Sequence, residues 1–158
     1  MDDKKIGVYI CTGCGIGDAL DIEKLGESGT EDHTVAVLKN HPNLCSKEGV
    51  ELIKKDIEDE GVNTIVIGAC SPRVMYDVFS FDNCIVDRVN LREQVVWCHK
   101  PQDEDTQMMA EDYLRMGLAK VEHMSLPEPF MPEEEMYKDI LVVGGGVSGM
   151  TAALEGAR

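Results

Sequence analysis

Thiols able to hold a soft metal or carry redox chemistry recur at matching places in this chain of 158 residues, which has six cysteines. Cys11 and Cys14 follow directly on the apolar run Ile6-Gly7-Val8-Tyr9-Ile10. Cys45 stands in the connection after a second run, Thr34-Val35-Ala36-Val37-Leu38, just before a helical segment. Cys70 ends a third run, Thr64-Ile65-Val66-Ile67-Gly68-Ala69. Four thiolates suit zinc or an iron–sulfur cluster, both soft-ligand sites. Gly13, Gly15 and Gly17 leave room for backbone N–H groups to approach a ligand closely. That favours a cluster, whose sulfides accept hydrogen bonds. The alternatives are a structural zinc site, a thiol–disulfide couple on Cys11-Thr12-Gly13-Cys14, and plain packing of small cysteines. Cys84, in a fourth apolar run, and Cys98, in Trp97-Cys98-His99, read as packing residues or free thiols. His33, His41 and His123 show no paired spacing, and nothing resembles a nucleophile triad or a hydrolytic carboxylate pair.

The elements that must position these thiols follow from hydrophobic patterning. The three runs above and Cys84-Ile85-Val86-Asp87 read as buried parallel strands. Helical segments alternate with them. One is predicted from Asp18 to about Leu25. A second is capped by Ser46, with Val50, Ile53 and Ile57 on one face and Gly61 past its end. A weaker third runs from Ser71 and Pro72 toward Phe79. The pattern predicts an α/β fold: a small open parallel sheet with flanking helices, Rossmann- or flavodoxin-like. The carboxyl ends of parallel strands share one edge, where ligands bind. Three connections would therefore bring Cys11, Cys14, Cys45 and Cys70 to one rim. A longer helix is predicted from Asp103 to His123, with acidic residues at its start suiting the helix dipole.

Residues 1–124 thus read as a cysteine-bearing α/β domain. Residues 125–138 hold Pro127, Pro129, Pro132 and the run Glu133-Glu134-Glu135, and read as a linker. Residues 139–158 read as the incomplete start of a dinucleotide-binding Rossmann domain: a strand from Ile140 to Val143, a glycine turn and a helix. Gly144 permits the tight turn, Gly146 lets a pyrophosphate approach the backbone, and Gly149 lets helix and strand pack closely. The acidic ribose ligand belongs about 20 residues further on. The chain therefore reads as a fragment of a longer protein.

Composition narrows the function classes. The 30 acidic against 15 basic residues give a net charge of -15. That excludes a surface built on clustered Lys and Arg for nucleic acid or an anionic membrane. No apolar run approaches the roughly 20 residues of a membrane span. The polar start Met1-Asp2-Asp3-Lys4-Lys5 does not read as a secretory signal, so the expected location is cytoplasmic.

The strings Ile6-Gly7-Val8-Tyr9-Ile10-Cys11-Thr12-Gly13-Cys14-Gly15, Leu44-Cys45-Ser46, Ala69-Cys70-Ser71-Pro72-Arg73 and Val89-Asn90-Leu91-Arg92-Glu93 resemble the amino-terminal region of the A subunit of heterodisulfide reductase. Within that family the finer resemblance is to the B subunit of quinone-interacting membrane-bound oxidoreductases. It rests on Cys11-Thr12-Gly13-Cys14-Gly15-Ile16-Gly17-Asp18-Ala19-Leu20-Asp21 and on Asp103-Glu104-Asp105-Thr106-Gln107-Met108. Many heterodisulfide reductase relatives carry Cys-x-Cys at the first position, where this chain has Cys-x-x-Cys. The resemblance implies an iron–sulfur domain preceding an FAD domain, in an oxidoreductase subunit of sulfur and energy metabolism. It implies Cys11, Cys14, Cys45 and Cys70 as [4Fe-4S] ligands. Gly144, Gly146 and Gly149 would contact FAD in the full-length protein only. The implied partners are other subunits of a membrane-associated electron-transfer complex, with adenylylsulfate reductase as a candidate. Membrane association would run through a partner, without direct insertion. Arg92 reads either as a balance for cluster charge or as a partner of Glu93. The rival expectation is a metal-free or zinc-binding interaction domain that serves the assembly of subunits.

Overall fold

The structure, a computed structural model, describes residues 4–132 and 137–158. The opening Met1-Asp2-Asp3 and the acidic run Glu133-Glu134-Glu135 lie outside the described residues. The chain divides into two compact units, Met1–Leu126 and Pro127–Arg158.

The first unit is built on four parallel strands: β1 (Ile6–Cys11), β2 (Val35–His41), β3 (Thr64–Ala69) and β4 (Ile85–Asn90). Their order is β2-β1-β3-β4. The sheet is open, all-parallel and flanked by helices, as the alternating pattern predicts. The central strands β1 and β3 are buried at every position, whereas β2, on an edge, alternates. Continuous apolar runs thus mark the middle of the sheet, where both faces are covered.

The helices of this unit are α1 (Ile16–Ala19), α2 (Ile22–Thr30), α3 (Lys47–Asp59) and α4 (Glu104–His123). α4 packs on α2, β3 and β4. Gly117 of α4 is so close to Val89 of β4 that a Cβ there would collide with it. α3 covers the other face, where Tyr9 Oη of β1 donates to Asp56 Oδ2 at 3.1 Å. Lys39 Nζ of β2 pairs with Asp56 Oδ1 at 2.6 Å on the same side. Tyr9 and Lys39 are register partners, so both side chains point to one face.

Local chemistry fixes most boundaries. Ser46 caps α3 by accepting from Gly49 N at 3.1 Å. Asp103 caps α4 by accepting from Asp105 N at 3.2 Å. At the far end of α4, Lys4 Nζ donates to the carbonyls of Val121, Glu122 and Met124 at 2.9, 2.7 and 2.6 Å. Val121 O also accepts from Met124 N at 3.3 Å, and a lysine at this end satisfies carbonyls that the last turn leaves open and complements the dipole.

Three expectations for the first unit are corrected, and one further element is found in it. The helix predicted from Asp18 is two helices, because Leu20 is extended and Asp21 caps α2 through Lys24 N. The stretch Ser71–Phe79 contains no helix: Arg88 takes the carbonyls of Cys70, Ser71 and Val74, and Met75 has φ 55°. A π-helix at Arg92–Val96, not anticipated from the sequence, follows β4. Cys84 lies just ahead of β4 and not within it.

In the second unit, α5 (Val147–Gly156) follows the glycine turn. Ile140–Val143 forms no strand, for lack of a pairing neighbour among the described residues. No residue of α5 is buried. No helix of the described residues is long and apolar enough to cross a membrane.

Candidate metal centre

The carboxyl ends of β1, β2 and β3 supply the four cysteines singled out above. Cys11 is the last residue of β1, Cys14 follows in the turn into α1, and Cys70 directly follows β3. Cys45 lies between β2 and α3. All four line one cavity of about 100 Å³. Ile16, Ala69, Val74 and Phe79 form its apolar wall, and Arg92 stands beside them. Cys84 is at the opposite, amino end of β4, with Sγ 4.0 Å from Val62 O. Cys98 is exposed and donates to Glu93 O at 3.0 Å.

The sulfurs share a wall, yet each is held by its own surroundings. Cys45 Sγ donates to Asn43 Oδ1 at 2.9 Å. Cys11 Sγ lies 4.0 Å from Pro42 O. Among the described residues no group of three or more His, Cys, Asp or Glu side chains is arranged so that it could hold a metal ion. The donor set nonetheless fits a soft metal, because four cysteines from three strand ends line one small apolar space. Burial pushes the Cys45 thiol above its ordinary value, and charge on Cys11, Cys70 and Cys14 acts the same way. A hydrogen bond to its own backbone opposes the rise. Cys45 is therefore within electrostatic reach of the other three cysteines.

The Cys11–Cys14 loop is shaped by close approach. A Cβ on Gly13 would meet the Pro42 carbonyl oxygen, so this position has no room for a side chain. Cys14 and Gly15 both take positive φ, 55° and 86°. The glycines do not all offer free amides, however. Gly17 N donates to Thr12 O at 2.9 Å, which starts α1.

Two arginines complete the rim. Arg92 Nη2 pairs with Glu93 Oε1 at 2.7 Å, and its guanidinium lies 4.9 Å from the Trp97 ring. The hydrogen bond to Glu93 raises Arg92 above its ordinary value, burial opposes this, and a hydrogen bond to the Cys14 side chain adds to the rise. For Glu93 itself burial acts upward, but hydrogen bonds from Arg92 and the Ser71 amide outweigh it and hold the carboxyl below its usual range. Arg88, which the motifs of the sequence do not mark out, reaches from β4 to Cys70. Its Nη2 lies 3.1 Å from Cys70 O and 3.2 Å from Cys70 Sγ. Its guanidinium stacks 4.3 Å from the Phe79 ring centre. Burial holds Arg88 below its ordinary value, and the charge and hydrogen bond at Cys70 only partly oppose this. A charged residue in the middle of Ile85-Val86-Asp87-Arg88-Val89 was the available signal.

At the second site, Gly144 has φ 116° and Gly146 caps α5, its carbonyl accepting from Met150 N at 2.9 Å. A Cβ on Gly149 would meet the Gly144 carbonyl oxygen. The turn thus has the close helix approach that the third glycine permits.

No family model matches the chain. Curated relatives do. The A subunit of the H(2):CoB-CoM heterodisulfide,ferredoxin reductase of Methanothermobacter marburgensis is 34% identical, over 98% of this chain and 24% of the relative. The A subunit of the ferredoxin:CoB-CoM heterodisulfide reductase of Methanosarcina mazei is 35% identical, over 95% of this chain and 20% of the relative. Along nearly its whole length the chain is homologous to the A subunit of heterodisulfide reductase. A third relative, from Methanopyrus kandleri, is named as an iron-sulfur subunit of CoB--CoM heterodisulfide reductase and is 31% identical over 98% of this chain. The chain spans only 20% to 24% of the length of these relatives.

Proposed function

We propose that this chain is the amino-terminal part of an iron–sulfur and flavin oxidoreductase subunit, and that residues 1–124 hold a [4Fe-4S] cluster on Cys11, Cys14, Cys45 and Cys70. The observation that carries the reading is the convergence of these four thiols on one cavity from three strand ends. The name of the Methanopyrus kandleri relative, an iron-sulfur subunit, supports the same chemistry. A cluster held there supplies one-electron transfer. The protein's own part is to bind and to shield. Ile16, Val74 and Phe79 keep water from the sulfurs, and Arg88 brings positive charge to Cys70. No general base or nucleophile is needed, because no bond to a substrate is made here.

Residues 125–138 serve as the linker to a flavin domain that begins at residue 139. Gly144, Gly146 and Gly149 receive the FAD pyrophosphate in that longer protein. The partners are other subunits of an electron-transfer complex, through which the protein associates with the membrane. The finer assignment, to the B subunit of quinone-interacting membrane-bound oxidoreductases with adenylylsulfate reductase as electron partner, rests on the two sequence strings given above.

Anaerobic reconstitution of the 158-residue chain with iron and sulfide tests the cluster directly. Iron and sulfide in equal amounts, at one cubane cluster per chain, with a broad visible absorption, is the expected result. Stoichiometric zinc in place of iron, or no metal at all, would favour the assembly-domain alternative.

A further inference from the structure

Arg88 is a half-buried cation whose partners are neutral oxygens and one sulfur. Its guanidinium donates to the carbonyls of Cys70, Ser71 and Val74, and touches Cys70 Sγ at 3.2 Å. None of the ion pairs among the described residues includes it. Glu93 acts on it only at a distance, because that carboxylate is bound to Arg92 at 2.7 Å. Its Nε is buried with no hydrogen-bond partner. Removing a cation from water without an anion is costly. The geometry therefore leaves the position of its counter-charge at Cys70.

Arg92 stands differently. Its charge is cancelled by Glu93, so the Arg92–Glu93 pair brings almost no net charge to the rim. Of the two arginines near the cysteines, only Arg88 carries an uncancelled positive charge toward them.

We infer that Arg88, and not Arg92, sets the reduction potential of the redox centre held by the four cysteines. The inference rests on the cluster reading above. One electron, delivered by a chemical reductant through a mediator, enters the centre and adds one negative charge. No proton moves and no covalent bond forms or breaks. A fixed cation against Cys70 favours the more negative, reduced state and so raises the potential. The Phe79 ring and the three carbonyls hold the guanidinium in place, so little reorganisation accompanies the electron.

The test is a mediated redox titration, followed by electron paramagnetic resonance, of anaerobically reconstituted chains with iron quantified in each. Arg88→Met is expected to make reduction roughly tenfold less favourable, about 59 mV for a one-electron couple. Arg88→Lys keeps the charge and is expected to stay near the wild-type potential. The double variant Arg92→Met/Glu93→Gln replaces a neutral pair by a neutral pair and is expected to shift little. A full iron complement in Arg88→Met with an unchanged potential overturns the inference. So does a double variant that shifts as far as Arg88→Met. Where Arg88→Met loses its iron, Arg88→Lys decides: a wild-type potential supports the role of charge, and a shift or loss despite the retained charge refutes it. A wild-type chain that binds no iron overturns the cluster reading, whereas the variant outcomes bear on Arg88 alone.

Discussion

Cys45 donates its thiol proton to Asn43 Oδ1 at 2.9 Å, two residues back along the same loop. A metal takes the thiolate, so coordination must break this bond and turn the sulfur toward Cys11, Cys14 and Cys70. Asn43→Ala removes the tether and is expected to leave iron retention near the wild-type value. Asn43→Asp sets a carboxylate against the thiolate and is expected to weaken retention roughly tenfold through like-charge repulsion. Iron release to a chelator, timed for each variant, checks the order. Equal release from Asn43→Asp and the wild type would remove this account of the loop.

Serine in place of Cys11, Cys14, Cys45 or Cys70 is expected to abolish reconstituted iron and sulfide, because a hydroxyl is a poor soft-metal ligand. Cys84→Ser and Cys98→Ser are expected to keep a full complement. Cys84 stands at the amino edge of the sheet, and Cys98 points out from the end of the π-helix. Iron analysis beside circular dichroism separates lost coordination from lost folding. Loss of iron from Cys84→Ser with retention in Cys70→Ser would show that the ligand set is wrong.

The contact between Tyr9 and Asp56 makes stability sensitive to base. Burial, and then the charge of Asp56 and its hydrogen bond, push the Tyr9 phenol well above its ordinary value. The folded state therefore keeps a proton that the unfolded state releases near pH 10. Between those two values the folded state binds more protons, so stability is full below about pH 10 and falls as the pH rises further. Tyr9→Phe is expected to lose about 1–2 kcal/mol at neutral pH by leaving Asp56 short of a donor. It is also expected to flatten the decline above about pH 10. Urea midpoints at about pH 8 and about pH 10.5, on either side of the free phenol's titration, measure both effects. Parallel declines in the two proteins would contradict the role given to Tyr9.

α5 is ten residues long with Val147, Met150 and Leu154 all exposed. An isolated helix of that length is marginal in water. Its amides are expected to exchange with solvent at least roughly 100-fold faster than those of the buried α4 residues Ala110, Leu114 and Leu118. Hydrogen exchange followed by mass spectrometry gives the comparison. Protection of residues 147–156 equal to that of α4 would mean that the segment is packed as a core element.

Much of this protein was legible in one dimension. Unbroken apolar runs at Ile6–Ile10 and Thr64–Ala69 announce strands covered on both faces, since only there is no alternate position left for water. Cap chemistry at Ser46 fixes a helix start because that side chain satisfies an amide a few residues away, and the acidic start at Asp103 suits the dipole of the next helix. The repeated placement of Cys11, Cys45 and Cys70 after strands implies a shared edge once the sheet is parallel. Interactions between residues distant in sequence were not legible. Arg88 lies 18 residues from Cys70, and it captures the carbonyls that a helix at Ser71–Phe79 would have needed. The same residue that makes that segment irregular brings uncancelled charge to Cys70. Local propensity has no means of recording a side chain that arrives from the next strand. Only the register of β3 against β4, which pairs Ile67 with Arg88, decides where that charge falls.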